Sequence, residues 1–420
     1  MRDFPAEPNP PTLAGELLID TEDDTPAPAP LRHPVLVACA LVLIALNLRP
    51  ALSSLGPVLA EVVRDTGISA ATASVLTTAP VVCLGLFGLM APGLARRWGA
   101  ERTILGVMLI QAAGIALRGV PVFAVQFVAA LIAGAGIGII GALLPGLVKR
   151  DFPDRAALMT GVYTMALCGG AAVAAGATVP LEQALGGWPL ALAFWAVPAL
   201  VAAVAWLPQV PSAAARRAHV PWEVRGLWRD PLAWQVTLFM GLQSSLAYVV
   251  FAWLAPILRD RGLDPMTAGL VLSCSILVQL ITALTAPIVA GRRRHQGGVV
   301  LVMLGLTLAG MLGCLLAPLG TVWLWAVLLG LGQGGTFAVA LMLIVLRAGD
   351  THVASHLSSM AQSIGYSLAA AGPLVVGLLH DRTGGWEVSG VLFVAVVLAA
   401  AGFGMLAGRP LHVRVVSRPR

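Results

Sequence analysis

Apolar stretches of roughly 20 residues recur along this chain from Pro34 onwards, and each is long enough to cross a bilayer as a helix. Because the hydrocarbon layer offers no water, a crossing segment has to pair its backbone groups within itself, as a helix does. The stretches also lack the alternating pattern of membrane β-strands. The sequence therefore predicts an all-α polytopic membrane protein, in agreement with its 58% of hydrophobic and 11% of charged residues.

Twelve transmembrane helices are predicted, in two sets of six. Their spans are 34–61, 70–94, 102–119, 121–148, 156–180, 188–207, 231–258, 267–290, 298–317, 321–346, 354–380 and 387–407. The predicted domains are a disordered, acidic and Pro-rich cytoplasmic tail (1–33), an N-terminal six-helix bundle (34–207), a cytoplasmic linker (208–229), a C-terminal six-helix bundle (230–407) and a basic cytoplasmic tail (408–420).

The Lys and Arg residues are unevenly divided between the two ends of these spans. With the N-terminus inside, 20 of the 26 lie on the inner side, five lie on the outer side, and Arg49 lies within a span. Cytoplasmic loops keep an excess of Lys and Arg. The distribution therefore predicts a multi-pass protein of the bacterial cytoplasmic (inner) membrane with both termini in the cytoplasm.

The two sets of spans repeat each other. The segment DTGISAATA, which begins at Asp65, matches DRGLDPMTA, which begins at Asp260, at an offset of 195. GIGIIG at 136–141 matches GLGQGG at 330–335, and GGW recurs at an offset of 198. Six helices per half restore the same orientation, so an axis along the membrane normal relates two pseudo-symmetric bundles. A substrate site is expected between them, near the midplane.

Both glycine runs also spell GxGxxG, the dinucleotide-binding pattern. That pattern needs a preceding strand and a soluble βαβ unit, whereas these glycines lie inside apolar spans. Small residues in membrane helices let backbones approach closely. We therefore expect the glycines to pack helices together, and the sequence predicts no cofactor, no metal site and no nucleic-acid partner.

Five longer segments of the chain are distinctive, namely NLRPALSSLGP, LLPGLVKRDFPDR, GLQSSLAYVVFAWLAPIL, GLGQGGTFAVALMLIVLRA and MAQSIGYSLAAAGPLVVGLLHDRTGGW. Together they give the chain a resemblance to a family of the major facilitator superfamily, the cyanate and 2-nitroimidazole transporters. It covers residues 34–407 and implies the major facilitator fold and movement of a small solute by alternating access. The loop between spans 2 and 3 departs from the superfamily pattern, because Arg96 stands where an Asp is usual. The ion pair that this loop makes with a neighbouring helix end in the superfamily is therefore not expected in this chain.

Arg49 lies near the centre of span 1 and is followed by Pro50. A lone cation at this depth costs at least ~2.5–3.5 kcal/mol on insertion scales. No Asp or Glu lies inside a predicted span except Glu61, at the outer end of the first. We therefore predict that Arg49 binds an anionic substrate in a water-filled cavity through charge-assisted hydrogen bonds. The alternative is a structural arginine that donates to helix carbonyls beside the Pro50 break.

Side chains that share a helix face with Arg49, or stand at its repeat positions, are predicted to line the same cavity. Ser53 lies four residues beyond Arg49. At the repeat offset of 195, the positions equivalent to Arg49 and Ser53 are Ser244 and Tyr248. The predicted substrate-binding set is completed by Gln333, Thr336, Phe337, Gln362, Tyr366 and Tyr163. Secondary candidates are Asn47, Gln243 and Trp253. For each of these companions a role in bonding neighbouring helices is the alternative.

These features predict a secondary transporter of a small anionic solute, cyanate-like or a small organic anion, that acts as a monomer. An exporter of drugs or nitro-aromatic compounds is one alternative, and a membrane sensor or enzyme is a more distant one. No intramembrane nucleophile with a base, no soluble domain and no P-loop supports the last, so we predict no enzyme activity. The seven histidines lie at span ends or in loops, so a coupled proton is expected to travel with the substrate.

Overall fold

The structure is a computed structural model that describes residues 34–67, 70–210 and 222–419. The predicted N-terminal tail (1–33) and residues 211–221 of the predicted linker lie outside the described residues. We call residues 34–210 the N half and residues 222–419 the C half.

The N half contains α1 (Pro34–Leu48), α2 (Pro50–Ser53), α3 (Leu59–Thr66), α4 (Ala70–Gly88), α5 (Ala91–Trp98), α6 (Ala100–Ala116), α7 (Phe123–Asp151), α8 (Ala156–Leu185), α9 (Trp188–Phe194) and α10 (Ala196–Trp206). The C half contains β1 (Trp222–Arg225), α11 (Pro231–Asp260), α12 (Pro265–Gly291), α13 (Gly297–Leu316), α14 (Val322–Arg347), α15 (Thr351–Thr383), α16 (Glu387–Ala407) and β2 (Val416–Pro419).

Among the described residues, 11 helices are long and apolar enough to cross a membrane. A pair bent by 53°, Ala79–Gly88 with Ala91–Trp98, brings the number to 12. The prediction of twelve transmembrane helices is therefore confirmed. Two spans are more broken than expected, since the first is interrupted at Arg49 and the second is bent between α4 and α5.

The break at Arg49 follows from Pro50, which has no N–H to donate to the carbonyl of Leu46. As a result, α1 ends before Arg49 and the short α2 begins at Pro50. The carbonyl O of Leu46 is covered by α8, where a Cβ on Gly170 would overlap it. The chain therefore changes helix at the one basic residue within its first span.

The repeated glycine runs pack helices in the same way in both halves. In the N half a Cβ on Gly138 of α7 would overlap the carbonyl O of Leu84 in α4. In the C half a Cβ on Gly334 of α14 would overlap the carbonyl O of Gln279 in α12. Leu84 and Gln279 are 195 residues apart, which is the offset of the sequence repeat. The predicted packing role of these runs is confirmed, and Leu84 and Gln279 occupy equivalent positions.

Another pair of repeated motifs forms the same hydrogen bond in each half. Trp188 Nε1 donates to Asp65 Oδ2 at 3.0 Å, and Trp386 Nε1 donates to Asp260 Oδ2 at 2.9 Å. Arg64 also donates to Asp65, at 3.0 Å. The bond from Arg64 and then that from Trp188 hold the pKa of the Asp65 carboxylate below its usual value. The sequence repeat therefore corresponds to a repeated tertiary contact.

The opposite end of the bundle collects basic residues, and we call it the arginine-rich face. Its members are Arg96, Arg97, Arg102, Lys149, Arg150, Arg155, Arg292, Arg293, Arg294 and Arg347. Helix ends meet there: α7 contacts α14 through Lys149 and Ala348, and α14 contacts the start of α13 through Arg347 and Gln296.

The end of the predicted linker and the predicted basic tail also meet at this face. The strands β1 and β2 pair antiparallel, with Arg225 opposite Val416. One oxygen of Asp230 caps α11 by accepting from Ala233 N at 2.8 Å, and the other accepts from Arg414 N at 2.8 Å. The two segments are therefore held together against the C half.

Candidate functional site

A cavity of about 550 Å³ lies between the two halves, and we call it the central cavity. It is lined from the N half by α1, α2, α4, α7 and α8, and from the C half by α11, α12, α14 and α15. Toward the arginine-rich face its lining residues Leu144 and Leu341 are buried. At the other end Gly56, Pro57 and Ala175 are exposed. The central cavity therefore opens away from the arginine-rich face.

Arg49 lines the central cavity at the break between α1 and α2. Its guanidinium carbon lies 5.0 Å from the ring centroid of Phe337, a cation–π contact between the halves. Ser53 donates its hydroxyl to the carbonyl O of Arg49 at 3.2 Å. Within the described ranges no carboxylate pairs with the guanidinium and no carbonyl accepts from it. The positive charge therefore stands in the cavity without a protein anion.

Aromatic rings of the C half form one wall of the central cavity. Tyr248 contacts Tyr366 edge to face with centroids 6.4 Å apart, and Phe251 at 6.5 Å. Phe337 completes this aromatic wall. From the N half, Tyr163 lines the cavity with 1% of its surface exposed, and its hydroxyl has no partner among the described residues. A buried hydroxyl without a partner costs ~1–3 kcal/mol, which a ligand or a water relieves.

Most of the predicted substrate-binding residues line the central cavity or a side pocket of about 30 Å³ beside it. Those that line the central cavity are Arg49, Ser53, Tyr163, Tyr248, Phe337, Gln362 and Tyr366. Those that line only the side pocket are Gln243, Ser244 and Gln333. Gln362 also donates to the carbonyl O of Gly141 at 2.9 Å, so it bonds the two halves as well.

Three predicted residues lie outside both pockets. The hydroxyl of Thr336 donates to carbonyls within α14, the nearer at 3.0 Å. Asn47 donates to a carbonyl one turn earlier in α1, at 2.8 Å. Trp253 donates to the carbonyl O of Pro373 in α15, at 2.9 Å. Each of these polar groups therefore finds its partner inside its own half.

Sequence reasoning missed Gln279 and Cys168, which line both the central cavity and the side pocket. Gln279 had a usable signal, since it is an isolated amide in an apolar span at the repeat position of Leu84. Cys168 had none, because the five cysteines are scattered through the spans without a pattern.

The buried Arg118 supports the helix that follows the Arg49 break. It is 2% exposed, and its Nη1 donates to the carbonyl O of Ala51 in α2 at 2.7 Å. Gln126 donates to the carbonyl O of Arg118, also at 2.7 Å. Arg118 therefore positions α2 rather than lining the cavity.

The halves are joined toward the arginine-rich face. Lys149 Nζ donates to the carbonyl oxygens of Ala348 (3.0 Å) and Val345 (3.4 Å) at the end of α14. Ser359 Oγ donates to the carbonyl O of Gly88 at 2.6 Å. A second cavity of about 420 Å³, lined by α5, α7 and the first residues of α6 and α15, lies at this face. These contacts therefore separate two cavities that open in opposite directions.

Two six-helix halves around a cavity that opens at one face are the architecture of a small-molecule transporter. The chain belongs to the Major Facilitator Superfamily, whose family model matches residues 41–373. It is thus a multi-pass membrane transporter and not an enzyme.

Relatives of known name place the chain more narrowly. It is 36% identical over 394 residues to the 2-nitroimidazole transporter of Escherichia coli (strain K12), covering 91% of this chain and 98% of that protein. It is 34% identical over 350 residues to the cyanate transport protein CynX of the same organism, covering 82% and 90%. A crystal structure of the E. coli fucose:proton symporter FucP matches with a TM-score of 0.69 at 12% identity, over 90% of this chain and 100% of that chain. The predicted fold and family resemblance are confirmed.

Proposed function

We propose that this transporter moves a small organic anion across the bacterial cytoplasmic membrane by alternating access, with Arg49 as the cation that binds it. The observation that carries the proposal is the guanidinium in the central cavity without a carboxylate partner among the described residues. A cation inside a span costs at least ~2.5–3.5 kcal/mol unless it is compensated. A bound substrate anion supplies that compensation.

The geometry around the break argues against a purely structural Arg49. The carbonyl O of Leu46 is covered by α8, and that of Ala51 accepts from Arg118. The guanidinium of Arg49 meets the face of Phe337 instead. It therefore keeps its hydrogen-bond donors for a ligand.

The size and walls of the central cavity favour a flat organic anion. Its volume of about 550 Å³ lies within the range of ligand pockets, ~300–1,000 Å³. The rings of Tyr248, Phe251 and Tyr366 suit a conjugated body, since aromatic pairs stack or meet edge to face. The named relatives concern cyanate, a linear anion, and 2-nitroimidazole, a planar heteroaromatic compound. A planar anion combines the two properties.

The charge distribution supports an orientation for this proposal. The arginine-rich face is assigned to the cytoplasm because Lys and Arg stay on that side. The termini then lie in the cytoplasm, and this conformation is open to the outside. Transport requires the contacts of Lys149 and Ser359 to break, so that the central cavity opens to the cytoplasmic side.

Replacement of Lys149 by Met is expected to favour the conformation that opens at the arginine-rich face. Its ammonium bonds carbonyls at a helix C-terminus, where a cation is favourable, and charge-assisted bonds are worth ~1.5–3 kcal/mol. We expect the ratio of the two conformations to shift about tenfold. The measurement is the rate at which a membrane-impermeant anionic thiol reagent, added at the arginine-rich side of oriented vesicles, modifies Cys168 in the central cavity.

Two controls isolate this effect. Arg155→Met removes an exposed cation of the same face and should leave the rate unchanged. Cys168→Ser removes the signal and shows how much the other cysteines contribute. An unchanged rate in Lys149→Met excludes Lys149 from the closure.

A second candidate function is export of drugs or nitro-aromatic compounds. The aromatic wall favours it, because a neutral ring needs contacts with Tyr248, Phe337 and Tyr366 more than it needs a cation. Uptake and efflux by proteoliposomes, with cyanate, small carboxylates, aromatic carboxylates and nitroimidazoles, distinguish the candidates. Saturable transport of an anion that other anions inhibit supports the first. Transport of a neutral nitro-aromatic compound that anions leave unaffected supports the second.

A further inference from the structure

The side pocket lies between Arg49 and the C half and measures about 30 Å³. A water molecule needs roughly 10–15 Å³ in the same measure, so the space takes a group of about two or three atoms and excludes a ring. Besides Arg49, Cys168, Tyr248 and Tyr366, its polar lining consists of one hydroxyl and three amides of the C half, those of Ser244, Gln243, Gln279 and Gln333. A space of this size, with a cation on one side and amides on the other, suits the head group of an anion.

The amides distinguish the C half from the N half. The repeat offset of 195 pairs Gln243 with Leu48 and Gln279 with Leu84, and both of these leucines line the central cavity. The equivalent contacts of Gly138 and Gly334 place α7 and α14 at an offset of 196 rather than the 194 of the sequence motifs, and this offset pairs Gln333 with Ile137, which also lines the central cavity. The equivalent glycine contacts of α7 and α14 confirm the pairing of Gln279 with Leu84. At these three pairs of positions the N half, which supplies Arg49, is apolar and the C half carries amides, which is an asymmetry that packing alone does not require.

The amides of Gln279 and Gln333 keep donors for a ligand. Gln279 Nε2 lies 3.4 Å from Gln333 Oε1, and Gln333 Nε2 lies 3.4 Å from the carbonyl O of Leu246. Strong N–H···O bonds measure ~2.7–3.2 Å, so both of these are long. Each amide nitrogen carries two hydrogens, and each of these contacts uses one. An acceptor in the side pocket can take the other.

We propose that the side pocket is the subsite for the anionic head group and that Gln279 selects heads that are planar and accept hydrogen bonds, such as a carboxylate. This inference rests on the proposed function. The head group lies between the guanidinium of Arg49 and the amides. The conjugated body extends into the central cavity along the rings of Tyr248 and Tyr366.

The subsite joins the two halves through the ligand. Arg49 belongs to the N half, whereas Gln279 and Gln333 belong to the C half. A head group bound by both therefore holds the halves together near the middle of the spans. Gln279 then contributes affinity that depends on the shape of the head group and not on its charge alone.

The test compares Gln279→Leu with the wild-type protein, because leucine is the residue at the equivalent position of the N half. Calorimetry measures binding of benzoate and of benzenesulfonate, which share a ring and a charge but differ in the shape of the head. We expect wild type to prefer benzoate and the variant to lose about tenfold in benzoate affinity, with a smaller preference. Ser275→Ala is the matched control, since Ser275 lies one turn away on α12, donates to Leu272 O at 2.8 Å and lines neither pocket.

The outcomes separate this inference from the proposed function. Unchanged benzoate affinity in Gln279→Leu, with Arg49→Gln unable to bind, overturns the subsite and leaves the anion proposal in place. Wild-type affinity in Arg49→Gln, or no binding of benzoate to wild type, overturns both. If Gln279→Leu does not fold, Gln279→Asn shortens the amide instead. Reduced affinity in that variant supports the subsite, and unchanged affinity overturns it.

Discussion

Arg49→Gln is expected to lower the initial rate of anion uptake by proteoliposomes about a hundredfold, since a guanidinium makes paired charge-assisted bonds of ~1.5–3 kcal/mol each. Glutamine has a similar reach but carries no charge, so it cannot compensate the charge of the anion. The described residues offer no second cation in the lining of the central cavity. We expect the variant to remain folded, because the substitution removes a charge that has no described protein counter-ion.

Two further variants serve as comparisons for Arg49→Gln. Arg49→Lys keeps the charge but loses the planar fork, so it should retain part of the uptake. Arg259→Gln removes an exposed arginine at the end of α11 and should transport like the wild type. Thermal unfolding in detergent reports the fold of each variant. Wild-type uptake by Arg49→Gln would exclude Arg49 as the anion site, and a large loss of stability would favour the structural alternative.

Gly334→Ala is expected to destabilise the protein by about 3 kcal/mol, because the added methyl group overlaps backbone atoms and not a flexible side chain. The overlapping atom is the carbonyl O of Gln279. Relief requires α14 and α12 to separate, which disturbs close packing on both helices. Gly138→Ala should destabilise the protein in the same way, since its added methyl group would overlap the carbonyl O of Leu84 at the equivalent position. The readouts are the yield of monodisperse protein and the Tm.

Gly305→Ala in α13 is the matched control for these glycine variants. Gly305 is exposed, and nothing lies within 4 Å of a Cβ built there. Alanine also favours the helix over glycine by ~1 kcal/mol, so the Tm should stay the same or rise. A similar Tm for Gly334→Ala and Gly305→Ala would contradict the prediction, because it would show that α12 and α14 accommodate the added methyl group without a loss of stability.

The number of spans could be predicted because insertion into a bilayer is favourable for any apolar segment of sufficient length, whatever that segment packs against. The pairing of equivalent positions could also be predicted, since Asp65 and Asp260 stand at the repeat offset and make the same bond to a tryptophan. Spacing also indicated which faces carry Arg49 and Ser53, because helical periodicity relates neighbours on one helix.

The orientation of single side chains was harder to predict. Thr336 is three residues from Gln333, yet its hydroxyl bonds within its own helix and only Gln333 lines a pocket. Trp253 is five residues beyond Tyr248, and its indole turns to α15. A membrane hydroxyl or indole can bond its own helix, a neighbouring helix or a ligand, and the sequence pattern is the same in all three cases.

The sequence by itself determined the class of the protein, its twelve helices, its two related halves and the unusual cation in the first span. Burial in lipid and the repeat depend on composition and order along the chain, so they can be predicted before any contact is known. Only the tertiary structure decided that Gln279 and Cys168 stand beside Arg49, and that the halves meet at the arginine-rich face. Those facts depend on how far each helix is rotated about its axis and where it crosses its neighbours. Rotation and crossing are set by close packing between residues that are distant in sequence.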